Sequence, residues 1–343
     1  MKMRHKVIFI LASLISAGVL GCIIMYNQSY DIELESSQIR ATAEPLDTVD
    51  ADNYPQIVTS YFEHYGLDFG DEKTEHIFGT FDSNEFTIAA HIYKPVKYKA
   101  TVIILHGYLS HCGQLKNLIS FLLENGYAVA AYDMPGHGLS TGDRAAIDDF
   151  SQYSAVLSDF TEIITSRLKG PYHLIGFSNG GGAALDYFFT ADGDIFDKVI
   201  LAAPLVHSYA WEESKAALKL YEPFAEFVPR LKKKNSSDPE FVEFNRKKDY
   251  LHAQQVPVKW VKALHKWNER IEDIPAKTRT LKIIQGTKDT TVDYQYNIEF
   301  IKEKFSDVEV EMIRNARHEL FNESVEIRKE VFTEIITYIE DNR

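Results

Sequence analysis

Cysteine is almost missing from this sequence. Cys22 and Cys112 are the two in 343 residues, too few for a disulfide framework or a four-ligand structural zinc site. Cations are outnumbered, with 37 lysines and arginines against 50 acids and a net charge of −13. That balance argues against wrapping a nucleic-acid backbone, which needs clustered cations. No internal repeat is present, and one long hydrophobic run stands alone near the start. The whole sequence has 45% hydrophobic and 25% charged residues. This is ordinary globular composition and excludes a disordered chain, a collagen-like repeat and a multi-span membrane protein.

The single long run is Val7 to Tyr26, which carries no charge and follows Lys2, Arg4 and Lys6. A cationic start before an apolar run is the pattern of an export signal, and the run is also long enough to span a bilayer. Asp31, Glu33 and Glu35 follow, so the charge asymmetry puts the start in the cytoplasm and the rest outside. Val19-Leu20-Gly21-Cys22 resembles a bacterial lipoprotein cleavage box with Cys22 as the lipidated residue. Residues 1–30 therefore read as an uncleaved anchor or a lipoprotein signal, with simple secretion third. The expected location is the cell envelope, outside the cytoplasm and membrane-anchored. Residues 31–53 are polar and acidic and read as a linker.

From residue 54 the pattern alternates. Tyr54 to Tyr65 has helical spacing, and Ile77 to Phe81 and Phe86 to Tyr93 flank a turn at Asp82-Ser83-Asn84, as in a β-hairpin. Continuous apolar runs follow at Ala100 to Leu105, Ala128 to Tyr132, His173 to Ile175, Val199 to Ala202 and Leu281 to Ile284. Such runs suit parallel strands buried on both faces. Helical patterns lie between them, which predicts an α/β fold with a mostly parallel, doubly wound sheet. The alternation lapses over residues 205–276, too long for an ordinary connection. Helical patches there are Trp211 to Tyr221, Phe224 to Leu231 and Val258 to Trp267. All three tryptophans lie in this stretch, and its 13 cations against 11 acids set it apart from the acidic remainder of the chain after residue 30. It reads as a helical lid inserted into a core of residues 54–204 and 277–343, or as a helical decoration packed on the sheet. Arg230-Leu231-Lys232-Lys233-Lys234 is its compact basic cluster, suited to anionic headgroups or simply to solvent.

Gly176-Phe177-Ser178-Asn179-Gly180 follows one strand and precedes a helical stretch. Strand, sharp turn and helix is the context of a nucleophile elbow. Gly176 and Gly180 leave room where a side chain would clash, and the turn lifts the Ser178 hydroxyl above the sheet edge. A serine hydroxyl needs a neighbouring base, and on such a scaffold the acid and then the histidine follow in sequence. Asp289 lies just past the strand Leu281 to Ile284, with Asp293 as the competitor better suited to a helix start. His318 lies after the strand Val308 to Ile313 and before the last helix. The oxyanion needs two backbone donors; these are assigned to Asn179 and to Tyr108, in the loop after Ala100 to Leu105. In that loop His106 and Gly107 are read as structural, as is His111, since no third ligand accompanies the histidines for a metal. Cys112 reads as a partly buried free thiol.

His106-Gly107 with His111, the segment Asp133 to Ser140, the elbow at Ser178, Asp289 and Arg317-His318-Glu319-Leu320 together resemble the monoacylglycerol lipase and lysophospholipase group of serine α/β-hydrolases. The resemblance spans about residues 54–340. It implies Ser178, Asp289 and His318 as a catalytic triad and a helical cap after the sixth core strand. The chain departs from the group at Phe177, where many members carry histidine, and at Asn179, where methionine is frequent. The expected activity is hydrolysis of lipid carboxylic esters through an acyl-enzyme, without metal or organic cofactor. The expected partners are a lipid or other ester and a membrane surface, with no obligate protein partner. The alternatives are a peptidase or amidase using the same triad, and a catalytically silent binding protein on a hydrolase scaffold.

Overall fold

A computed structural model describes residues 34–49, 53–69, 73–191, 193–228 and 233–341. The export segment, residues 1–30 with Cys22, lies outside the described residues, as do Arg230, Leu231 and Lys232 of the basic cluster. Among the described residues no helix is long and apolar enough to cross a membrane.

The hairpin forms β1 (Thr74–Ser83) and β2 (Phe86–Pro95), with Asn84 at φ 51° in the turn. The apolar runs become β3 (Thr101–Leu105), β4 (Ala128–Tyr132), β5 (Tyr172–Phe177), β6 (Phe196–Ala202), β9 (Lys277–Gly286) and β10 (Phe305–Ile313). They assemble into one eight-stranded sheet in the order β1-β2-β4-β3-β5-β6-β9-β10. β2 is antiparallel to both neighbours, and every pairing from β4 to β10 is parallel.

Both faces of the central strands are apolar because helices cover both. In β3, Ile103 and Leu105 join one core cluster while Val102 and Ile104 join the other, as the two-residue period of a strand requires. The first cluster is closed by α4 (Ser151–Arg167), α5 (Asn179–Thr190) and α9 (Tyr294–Lys304). The second is closed by α2 (Gln56–Tyr65), α3 (Lys116–Glu124) and α10 (Val325–Glu340).

The linker reading of residues 31–53 needs correction. Residues 34–42 are helical (α1), and Ile39, Leu46 and Val49 are buried. Leu46 N donates to Thr80 O at 2.6 Å and Thr80 N to Glu44 O at 2.9 Å, so the strap bonds the outer edge of β1. Its composition is polar, but three apolar side chains suffice to fix it.

Residues 205–276 hold α6 (Trp211–Tyr221), α7 (Pro239–Lys247) and α8 (Val258–Glu272), with a two-strand ribbon of β7 (Phe227–Val228) and β8 (Val256–Pro257). Two expectations change here. The described part of the Phe224 to Leu231 patch is irregular chain ending in the two-residue strand β7, which pairs with β8, rather than a helix. Helix α7 was not anticipated, although Asp238 caps it by accepting from the N–H groups of Glu240 and Phe241 and Pro239 opens it, a recognisable start signal.

Candidate active site

β5 ends at Phe177 and α5 begins at Asn179, leaving Ser178 as the turn between them. Its backbone has φ 51° and ψ −112°, a conformation that costs a non-glycine residue about 1–3 kcal/mol. The surroundings enforce it. Ser178 N donates to Ala202 O at 2.9 Å, and Ser178 O accepts from Gly182 N and Leu205 N, each at 3.0 Å. The turn also closes tightly. A Cβ on Gly176 would lie 2.7 Å from Gly180 O, and one on Gly180 would lie 2.6 Å from Leu105 Cβ.

Because β9 and β10 run parallel to β5, the loops that follow all three leave the sheet at the same edge. The β9 and β10 loops are tied together, with Thr287 N donating to Ile313 O at 3.1 Å and Lys288 N to Ala316 O at 2.8 Å. His318 Nε2 lies 2.9 Å from Ser178 Oγ, and His318 Nδ1 lies 2.7 Å from Asp289 Oδ2. With Nδ1–H donating to the carboxylate, Nε2 is left to accept the serine proton. Asp289 also accepts from Gln285 Nε2 at 3.0 Å and Thr291 N at 2.7 Å. Burial pushes the Asp289 carboxyl up, but His318 and these donors outweigh it and hold it below the usual carboxylate range. Burial likewise pushes His318 down, and Asp289 more than reverses this, leaving the imidazole above its usual value. Asp293, the competing acid, sits at the N-cap of α9 and accepts from Tyr296 N.

The loop after β3 turns back at Gly107, whose carbonyl accepts from Ser110 N at 3.2 Å. A Cβ on Gly107 would lie 2.9 Å from Phe177 Cε1 and 3.3 Å from Ser178 Cβ. The Gly107–Tyr108 backbone thus lies against the nucleophile only because that side chain is missing. His106 Nδ1–H donates to Gly107 O at 2.8 Å, and His106 Nε2 accepts from Met134 N at 2.9 Å. Burial lowers this imidazole to about 4, the neutral state that an accepting Nε2 requires. Asn179 is fully buried at the start of α5, where the first N–H groups have no partner within the helix.

The structure therefore brings Ser178, Asp289 and His318 into one chain of hydrogen bonds and sets Gly107 and Tyr108 beside it. Cys112 is fully rather than partly buried, and its N–H donates to Asp133 Oδ1 at 2.7 Å. His111 is engaged elsewhere: its Nε2 contacts Asp249 Oδ1 at 2.9 Å. Asp249 is the residue the sequence did not reveal. Its carboxylate also accepts from Tyr65 OH at 3.0 Å and Gln114 Nε2 at 2.6 Å, so it fastens residues 205–276 to the β3 loop. Its one local signal is an acid after Lys247-Lys248, which says nothing about partners 135 or more positions away. Among the described residues no group of three His, Cys, Asp or Glu is arranged to hold a metal ion.

The family described as serine aminopeptidase, S33 matches residues 96–325. The chain belongs to this family. Among curated relatives, a monoglyceride lipase homolog of Monkeypox virus is 28% identical over 255 residues, covering 72% of this chain and 92% of the relative. Phospholipase YtpA of Bacillus subtilis is 25% identical over 244 residues, covering 68% and 92%. These relatives bear out the resemblance to the monoacylglycerol lipase group. A solved structure of a soluble variant of the Saccharomyces cerevisiae monoglyceride lipase superposes with a TM-score of 0.66 at 17% identity, covering 79% of this chain and 96% of that one. The fold is that of the α/β-hydrolases.

Proposed function

We propose that this hydrolase cleaves carboxylic esters of lipids, with monoacylglycerols and lysophospholipids as the preferred substrates. The observation that carries the reading is the Ser178–His318–Asp289 chain at 2.9 Å and 2.7 Å. In this mechanism His318 Nε2 takes the Ser178 proton as Oγ attacks the ester carbonyl. The N–H groups of Tyr108 and Asn179 hold the tetrahedral oxyanion. Asp289 orients the imidazolium and stabilises its charge. His318 then protonates the departing alcohol, and it activates the water that releases the fatty acid and frees Oγ.

Residues 205–276 act as a lid in this reading. Leu220 and Phe224 there are exposed, Phe224 by 89%, which suits contact with a lipid surface. The family's description also favours a second reading, cleavage of an aminoacyl amide by the same residues.

The test is fluorophosphonate labelling followed by a panel of monoacylglycerol, lysophosphatidylcholine and an aminoacyl amide. Ser178→Ala is expected to abolish labelling and to lower ester turnover by about 10⁴-fold or more, with the fold intact by circular dichroism. Retained turnover would defeat the assignment. Faster cleavage of the amide than of either lipid would decide for the second reading.

A further inference from the structure

His318 is carried by an edge strand. Its loop leaves β10, the last strand in the sheet order, whose strand partner is β9. On the β9 side the loop is tied by Lys288 N donating to Ala316 O. On the outer side the sheet offers nothing to lean on. A general base works only while its nitrogen stays within hydrogen-bond reach of the proton it takes, so residues 314–319 need a second tether.

The N–H groups on both sides of His318 supply it. Glu319 N donates to Asn235 O at 3.0 Å, and Arg317 N donates to Glu323 Oε1 at 2.5 Å. Asn235 belongs to the insert of residues 205–276, and Glu323 is bound to that insert. Its other oxygen, Oε2, accepts from Ser237 N at 2.6 Å and from the Ser237 hydroxyl. Ser236 Oγ donates to Asn322 O at 2.6 Å. Lys233 Nζ donates to Thr290 O at 2.5 Å, one residue past the triad acid. Residues 233–237 thus lie as a strap across the loops that carry Asp289 and His318.

Glu323 is the knot of this arrangement. It follows the short helical turn Leu320–Asn322 and is fully buried. Burying a carboxylate is costly unless donors surround it. The groups bonded to Glu323 are all donors, two backbone N–H groups and one hydroxyl. An ionised carboxylate accepts at both oxygens, and such charge-assisted bonds are stronger than neutral ones. No neutral side chain of the same size accepts on both sides at once. The carboxylate touches neither Ser178 nor the imidazole, and its route to the chemistry is the N–H next to His318.

Resting on the ester-hydrolase reading above, we propose that Glu323 is a positioning residue for the general base. Through the Arg317 N–H it fixes where His318 stands, and through Ser237 it ties that place to the insert. The position of residues 233–237 then sets the reach of His318 toward Ser178.

The experiment uses the full chain. Glu323→Gln keeps the shape of the side chain but leaves a single acceptor oxygen beside a new N–H2 donor. The amide meets more donors with its oxygen turned to Ser237, and its N–H2 then faces the Arg317 N–H and displaces the loop. In a chain that stays folded by circular dichroism, kcat for a monoacylglycerol is expected to fall at least about tenfold, with KM within about twofold of the wild type. The low-field proton NMR resonance of His318 Nδ1–H, bonded to Asp289, should shift or broaden, which a loss of stability alone does not cause. Ser237→Ala removes one donor from Oε2 and keeps the charge. It is expected to lower kcat by about threefold, with the same change of the resonance in weaker form, and it decides the matter if Glu323→Gln does not fold.

A resonance identical to the wild type, or a kcat that falls only with the folded fraction, overturns the positioning role and leaves Glu323 as a structural tie. The resonance needs no turnover, so the two readings fail separately. Absence of fluorophosphonate labelling in the wild type defeats the hydrolase reading, whatever Glu323→Gln does to the His318 proton.

Discussion

At the scale of single residues, the choice between two aspartates four positions apart depends on what each carboxylate accepts. Asp289 receives His318 Nδ1–H and the N–H of Thr291, whereas Asp293 closes the first turn of α9. Asp289→Asn is expected to lower kcat by about 10⁴-fold, and Asp293→Asn by no more than the effect of a lost helix cap. The reverse ranking would exchange the two roles. The pH profile gives a second check. His318 must be neutral to accept a proton, and Asp289 raises its pKa above the usual value. Activity should therefore fall as pH drops through a value above about 6.5. Removing the Asp289 charge lowers that pKa, so the residual activity of Asp289→Asn should persist to lower pH. A profile of kcat/KM that keeps the wild-type acid limb in that variant would show that another group sets it. The serine and histidine were legible in the sequence because strand, turn and helix patterns bracket them. Asp249 was not, since its donors Tyr65, His111 and Gln114 lie 135 or more positions away in the sequence.

Among elements, the telling junction is between residues 205–276 and the β3 loop. Asp249 accepts from Tyr65 of α2, and from His111 and Gln114 of the loop that also contains Tyr108. Asp249→Ala would leave four buried donors, these three and the N–H of His252, without this acceptor, at about 1–3 kcal/mol each before relaxation. A fall of about 3 kcal/mol in unfolding free energy by urea is expected, together with a loss of kcat/KM as the loop shifts. Asp249→Asn keeps an acceptor oxygen and should recover part of both. Equal stability of Asp249→Ala and the wild type would mean that the junction closes without it. The strands were readable because burial on both faces demands unbroken apolar runs. The short ribbon of β7 and β8 was hidden because two-residue strands have no period to detect, and their pairing partner lies across the insert.

For the whole molecule, charge and hydrophobicity are arranged unevenly. The start carries three cations and an apolar run, and the chain after residue 30 is acidic. Residues 205–276 carry 13 cations against 11 acids, unlike the acidic remainder after residue 30, and they expose Leu220 and Phe224. We propose a membrane-tethered enzyme whose lid faces lipid. Shortening the chain by residues 1–30 is expected to move it from the membrane fraction to the soluble fraction of disrupted cells. Retention of the shortened chain on membranes would transfer the attachment to the lid, and Phe224→Ser should then release it.

The sequence by itself determined the strand and helix order of the core, the elbow at Ser178 and the order of serine, acid and histidine, because these follow from local period and turn chemistry. Tertiary structure decided what depends on residues far apart in the chain. It packed residues 34–49 onto the sheet edge, gave Asp249 its donors, and separated the roles of Asp289 and Asp293. Those outcomes depend on which loops leave the same edge of the sheet, and strand order, not local pattern, fixes that.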